Sequence, residues 1–180
     1  MESTRYHTIY IDPPWNERGG GKIKRGADRH YPLMRTAEIR ELLIKELVDG
    51  HKIGDPCHCY LWVTNNFLED GLQLLRSLGF DYKTNIVWVK DRFGLGQYFR
   101  GQHELCLFGV FGNVQKTLHR NLSTVIMEKR REHSQKPLKM IQLIEKASLP
   151  PRIEMFARER RSGWTAWGLE TPKDTQTTIN

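Results

Sequence analysis

From Tyr6 to Ile11 the chain reads Tyr-His-Thr-Ile-Tyr-Ile, an alternation that predicts a β-strand over 6–11. A loop over 12–34, punctuated by prolines and four glycines, follows it. Thr36 stands where a helix cap belongs, and Ile39, Leu42, Leu43 and Leu47 share one face of a helix predicted over 37–49. His58 to Val63 (His-Cys-Tyr-Leu-Trp-Val) predicts a second strand. Leu68, Leu72, Leu75 and Leu78 then recur at helical spacing, with Gly79 placed to close that helix. Apolar runs over 82–89 and 103–110 predict buried strands on either side of the turn Phe93-Gly94-Leu95-Gly96. Pro137 suits the first turn of a helix over 137–147, whose apolar side carries Leu138, Ile141 and Ile144. Pro150-Pro151 ends that region, and strands are predicted over 152–157 and 164–168. Strands alternating with helices predict an α/β sheet with helices on both faces. In such sheets ligands sit beyond the carboxyl ends of the strands.

Composition narrows the class. The 180 residues are expected to form a single domain, 1–180, with 171–180 a flexible tail. With 38% apolar residues the chain can bury a core. Lys and Arg number 28 against 21 Asp and Glu, a net charge of +7, which favours a polyanionic partner such as nucleic acid. Mean hydropathy is −0.59, and no apolar run approaches the ~20 residues of a spanning helix, so no membrane role is expected. The first residues lack the apolar core of a secretion signal, and three cysteines do not make a disulfide framework. The expected location is the cytoplasm.

The chemistry concentrates at Asp12-Pro13-Pro14-Trp15, directly after the first strand. A bland polar turn could contain these residues. At background frequencies, however, the tetrapeptide would arise by accident in roughly one of several thousand chains of this length. The reaction that wants this arrangement is methylation of an exocyclic amine on a base. Such a nitrogen is planar and a poor nucleophile, because its lone pair is delocalised into the ring. A carboxylate, Asp12, accepts one N–H, and the carbonyl of Pro13, stiffened by Pro14, accepts the other. Trp15 is expected to stack on the base, which has left its helix to reach the site.

Together with further segments this motif resembles the MT-A70-like family of adenine-N6 methyltransferases. The segments are His30-Tyr31-Pro32-Leu33-Met34, Leu61-Trp62-Val63-Thr64-Asn65 and Thr84-Asn85-Ile86-Val87-Trp88-Val89-Lys90. Gly94 to Arg100 with Gln102-His103-Glu104, Ser134-Gln135-Lys136-Pro137 and Ile153 to Arg158 complete the set. The resemblance covers nearly the whole chain. It implies a Rossmann-like class I methyltransferase fold, with a mixed, mostly parallel sheet and a permuted order: the catalytic motif comes first and the cofactor strand last. It also implies S-adenosylmethionine as cofactor; no metal is expected.

By that resemblance Lys136 meets the methionyl carboxylate of the cofactor, with the free backbone donors of the following helix facing the same crevice. Glu154 and Phe156, on one face of the 152–157 strand, lie near the cofactor, and Arg158 and Arg160 contact its ribose or carboxylate region. Asp12 also borders the cofactor. Only eleven residues precede Asp12, so the upstream segment that helps hold the cofactor's adenine in the messenger-RNA enzymes is expected to be missing, with Glu170 as a substitute. Gln135 and Leu169 depart from the family, which often has His or Arg and Asn there.

Other constellations carry less. Cys57-His58-Cys59 has Cys-x-Cys spacing, and alternation sends His58 to the opposite face, so core packing is expected rather than zinc. Gly19-Gly20-Gly21-Lys22 lacks the spacing of a nucleotide-binding loop. His103-Glu104 offers a catalytic pair, but at the start of a buried strand such residues more often brace loops. Asn16 to His30 holds Arg18, Lys22, Lys24, Arg25 and Arg29 against two acidic residues. Beside the catalytic tetrapeptide, Arg18, Lys22, Lys24, Arg25 and Tyr31 are expected to grip nucleic acid.

The expected activity is methyl transfer from S-adenosylmethionine to the 6-amino group of adenine. A polynucleotide is the substrate, DNA ahead of RNA, as in small bacterial or phage enzymes. A second copy or a partner subunit would then supply target recognition. A non-catalytic nucleic-acid-binding subunit and a cytosine amino-methyltransferase stand as alternatives.

Overall fold

The computed structural model describes residues 4–16, 33–94, 96, 98–113, 117–131 and 135–168. In chain order these residues form β1 (Tyr6–Ile11) and α1 (Thr36–Leu43), which runs on into a π-helical turn (Ile44–Asp49). Next come β2 (Ile53–Val63), a 3₁₀ turn (Asn65–Phe67), α2 (Leu68–Ser77), β3 (Asp81–Val89) and β4 (His103–Phe111). The rest is β5 (Val125–Met127), α3 (Leu138–Ala147), β6 (Arg152–Met155) and β7 (Trp164–Trp167).

All seven strands join one sheet in the order β5-β3-β4-β2-β1-β6-β7. β1 runs parallel to β2 and β6, β6 to β7, and β3 to β5, whereas β4 is antiparallel to both its neighbours. The sheet is therefore mixed and mostly parallel, with β4 alone reversed. Tyr10 lies opposite Tyr60 on one side and Glu154 on the other, which places β1 between β2 and β6.

The period-2 alternation of the strands divides the core into two layers. Ile9, Ile11, Cys59, Leu61, Leu107, Ile153 and Met155 face α1, its π-helical turn and α2, where Ile39, Leu43, Leu47, Leu74 and Leu75 close over them. Tyr10, Tyr60, Trp62, Trp88 and Cys106 face the other way, against Met140, Ile141 and Ile144 of α3. Helices thus cover both faces, as the alternation of elements predicted. Cys57 and Cys59 lie in the first layer, while His58 points away and bonds Ser148 through Nδ1 at 2.7 Å.

Several boundaries differ from the sequence reading. The residue before α1 is Arg35, not Thr36: the Glu38 carboxylate reaches back to the Arg35 N–H at 2.8 Å and pairs with its guanidinium at 2.7 Å. β2 begins five residues earlier than expected, because a register shift between Tyr6 and Thr8 accommodates Pro56 within the strand. Pro137 sits just outside α3 with extended backbone rather than in its first turn. β6 stops at Met155, since Phe156 has φ of +61° and cannot continue the pleat. β5 was not foreseen; its three residues are too few for a periodic signal.

Candidate active site

β1 delivers Asp12 to the carboxyl end of the sheet between β2 and β6. The chain leaves β1 across one face, through α1, and reaches β6 from the other, through α3. Neighbouring strands whose connections part to opposite faces leave a crevice beyond their ends. Asp12 stands in it.

The Pro13-Pro14 turn after Asp12 is tied at both carbonyls. Trp15 N–H donates to Pro13 O at 2.9 Å and Met34 N–H to Pro14 O at 2.9 Å. The Trp15 ring corrects an expectation. It is 5% exposed, stacks on Phe67 with centroids 5.1 Å apart, and donates its indole N–H to Trp62 O at 3.0 Å. A ring so enclosed braces the turn from the core and offers no face to a base.

Lys136, just before α3, reaches across to Asp12 with Nζ–Oδ1 of 2.8 Å and to Glu104 of β4 at 3.4 Å, and lies 5.4 Å over the Trp62 ring. Glu104 also pairs with Lys90, which follows β3. Asp12, Lys136, Glu104 and Lys90 thus form one alternating chain of charges. Burial by itself pushes the Glu104 carboxyl up, but the ammonium groups of Lys136 and Lys90 outweigh it and hold the carboxyl below its ordinary range. Beneath them Tyr10 accepts the Trp62 indole N–H at 2.7 Å. Burial, then the Asp12 charge, push the Tyr10 hydroxyl well above its ordinary range, so it stays neutral. Glu104 thus belongs to the site, which its position at a strand start did not announce.

The backbone donors at the start of α3 were expected to face this crevice. Glu128 takes two of them: the N–H groups of Leu138 and Lys139 donate to its carboxylate at 2.9 and 3.0 Å. The positive contribution here comes from the Lys136 side chain.

The other wall belongs to β6. Glu154, 7% exposed, accepts from Arg161 Nε at 3.1 Å. Burial raises its carboxyl, and the guanidinium offsets only part of that. Phe156 meets Trp167 edge to face with centroids 5.6 Å apart. It packs on the core layer of Ile153 and Met155, so the expected shared face with Glu154 is not kept, although both residues border the crevice. A Cβ at Gly168 would lie 2.6 Å from the Ala157 nitrogen, so the ends of β6 and β7 close together only because that residue is glycine. Arg158 lines the crevice; Arg160 is exposed and does not. Arg161 stands there instead, a shift of one residue that an irregular loop gives no periodicity to anticipate.

The two walls border an open crevice of about 200 Å³. Arg18, Lys22, Lys24, Arg25, Tyr31 and Glu170 lie outside the described residues, as does the 171–180 tail. Among the described residues no helix is long and apolar enough to cross a membrane.

An acidic residue and two prolines at the end of a central parallel strand, one reversed strand, and a lysine facing the acid from before α3 define a Rossmann-like methyltransferase. A family model described as MT-A70 matches residues 6–170, and the chain belongs to that family. Over 190 residues it is 30% identical to the Type II methyltransferase M.MunI of Mycoplasma sp, covering 93% of this chain and 78% of that protein. It is 31% identical over 176 residues to a probable N(6)-adenosine-methyltransferase MT-A70-like of Oryza sativa subsp. japonica, covering 91% of this chain and 23% of that one. The human N(6)-adenosine-methyltransferase catalytic subunit METTL3 is 29% identical over 163 residues, with coverages of 86% and 26%. The chain spans about a quarter of the length of these plant and human relatives.

Proposed function

We propose that the chain transfers a methyl group from S-adenosylmethionine to the 6-amino group of adenine in a polynucleotide, DNA ahead of RNA. The carrying observation is Asp12, which stands at the end of the central strand, ion-paired to Lys136 beside a turn whose carbonyls are tied down. DNA comes first because the similarity extends over most of a type II methyltransferase but only about a quarter of the N(6)-adenosine enzymes.

The donor set of the crevice fits the cofactor. Glu154, buried with its carboxyl raised, offers hydrogen bonds to ribose hydroxyls. Lys136 and Arg158 line the same space as cations for the methionyl carboxylate, and Phe156 adds an apolar wall. When bound, the cofactor supplies an electrophilic methyl group on a sulfonium.

The remaining work is done by the chain's own groups. Asp12 accepts one N–H of the amine. Pro13 O has one lone pair engaged by Trp15 N–H and a second for the other amine hydrogen. Two acceptors placed off the ring plane favour a pyramidal nitrogen whose lone pair points into the crevice. Lys136 offsets the Asp12 charge, and Glu104 holds Lys136 in reach of it.

The test is to incubate the pure protein with labelled S-adenosylmethionine and separate DNA and RNA pools, then to identify the methylated nucleoside by mass spectrometry. N6-methyldeoxyadenosine is expected. Methylated cytosine, or label transfer unaffected by Asp12→Ala, would overturn the reading.

A further inference from the structure

The β3–β4 loop, 90–102, carries a surface that the crevice chemistry does not use. It leaves the sheet at the site's own end, since Lys90 is both its first residue and a partner of Glu104. Its base is tied. Lys90 N–H donates to Gln102 O at 2.8 Å, and the Gln102 amide returns to Lys90 O at 3.1 Å. Further out, Gly94 N–H donates to Gly101 O at 2.6 Å and Arg100 Nε to Gly94 O at 2.7 Å. A side chain at Gly96 would collide with the Phe99 carbonyl, so only glycine allows the two residues to approach this closely. What the loop holds out is aromatic: Tyr98 is 93% exposed, Phe99 89% and Phe93 66%.

Rings displayed this fully on a tied loop call for a partner. The charge around them says which kind. Arg92 and Arg100 flank the rings, and the 128–131 segment adds Lys129, Arg130 and Arg131. The two segments are joined where Arg130 N–H donates to Asp91 Oδ1 at 3.0 Å. The acidic groups among them are engaged within the protein, Asp91 by Arg130 and Arg92, Glu128 by the start of α3.

We infer that Tyr98 and Phe99 are a stacking platform for unpaired bases on the strand that carries the target adenine, with the neighbouring arginines and lysine on its phosphates. The inference rests on the methyl-transfer reading and supplies the stacking surface that buried Trp15 does not. A duplex keeps its base faces covered, so the substrate is a single strand or a locally opened duplex.

The test compares wild-type protein, the pair Tyr98→Ala with Phe99→Ala, and the pair Tyr98→Phe with Phe99→Tyr. Each is titrated into a labelled single strand and into the same sequence as a blunt duplex, alongside S-adenosylmethionine binding, adenine methylation and solution mass. The alanine pair should bind the single strand at least about fivefold more weakly per ring, with cofactor affinity unchanged, and the conservative pair should restore binding. The duplex should lose less.

Wild-type strand affinity in the alanine pair would overturn the platform. So would a wild-type oligomer that the alanine pair dissociates while keeping its strand affinity, which would assign the rings to a protein interface. Adenine methylation by wild-type protein alongside unimpaired strand binding by the alanine pair sinks the platform and leaves the methyl-transfer reading standing. Ring-dependent strand binding without any methyl transfer does the reverse.

Discussion

Glu104 enters the crevice from β4 with two ammonium groups on it, whereas Glu154 enters from β6 with one guanidinium that it shares with Glu159. Both carboxylates are largely withdrawn from water, so desolvation opposes the charge of each. At Glu104 two cations win, and the group stays ionised as the hinge of a charge chain that ends on Asp12. At Glu154 one shared cation falls short, and the carboxyl is left partly uncompensated. A neutralised carboxylate serves as scaffold. An undercompensated one still has hydrogen-bonding capacity for a ligand, which suits the proposed cofactor wall.

The largest effect should come from breaking the scaffold. Glu104→Ala leaves the ammonium groups of Lys90 and Lys136 without their shared partner, and a truncated buried pair costs about 3–5 kcal/mol. Glu154→Ala should cost clearly less, since Arg161 keeps Glu159. Equal losses in chemical denaturation would erase the contrast. Asp12→Ala should lower methyl transfer at least ~10²-fold, about 2.7 kcal/mol, with stability nearly unchanged because Lys136 retains Glu104. Normal turnover by that variant would remove Asp12 from the chemistry. Lys136→Ala should weaken S-adenosylmethionine binding by about 1.5–3 kcal/mol in calorimetry, and unchanged affinity would move the carboxylate contact to Arg158.

The smallest effect is the most diagnostic, because its sign differs between the two glutamates. A carboxyl lowered on folding adds stability above the ordinary Glu value of 4.5 and loses it as pH falls through the lowered value. The gap between wild type and Glu104→Gln should therefore close as pH drops below that value. A carboxyl raised on folding adds stability below 4.5 and loses it as pH rises through the raised value. Wild type should therefore lose ground to Glu154→Gln as pH climbs from 4.5. Parallel unfolding curves across that window would contradict both assignments.

What could be read along the chain was whatever adjacent residues settle among themselves. Asp12 was legible because strand, carboxylate and two prolines are contiguous. The two helical faces and most strands were legible because burial imposes periods of 3.6 and 2 on neighbouring residues. Lys136 was picked out by the resemblance of Ser134-Gln135-Lys136-Pro137 to the family, not by any periodicity. Tyr98 and Phe99, the proposed platform, were seen within a motif, but nothing local indicates that an aromatic residue stays outside the core, just as nothing local placed Trp15 inside it.

The remainder depended on pairing across distance. Glu104 meets Lys90 because β3 and β4 fold back antiparallel, and meets Lys136 because α3 returns on the face where Trp62 lies. No spacing in the sequence encodes that convergence, since it depends on which strands lie side by side. Arg161 rather than Arg160 faces Glu154 because the backbone leaves β6 in a left-handed conformation at Phe156, which ends the alternation. Local chemistry chose the elements and the acid of the motif. Which cations surround each carboxylate, and so which way each titrates, was decided by strand order and helix return, because charge acts through space and not along the chain.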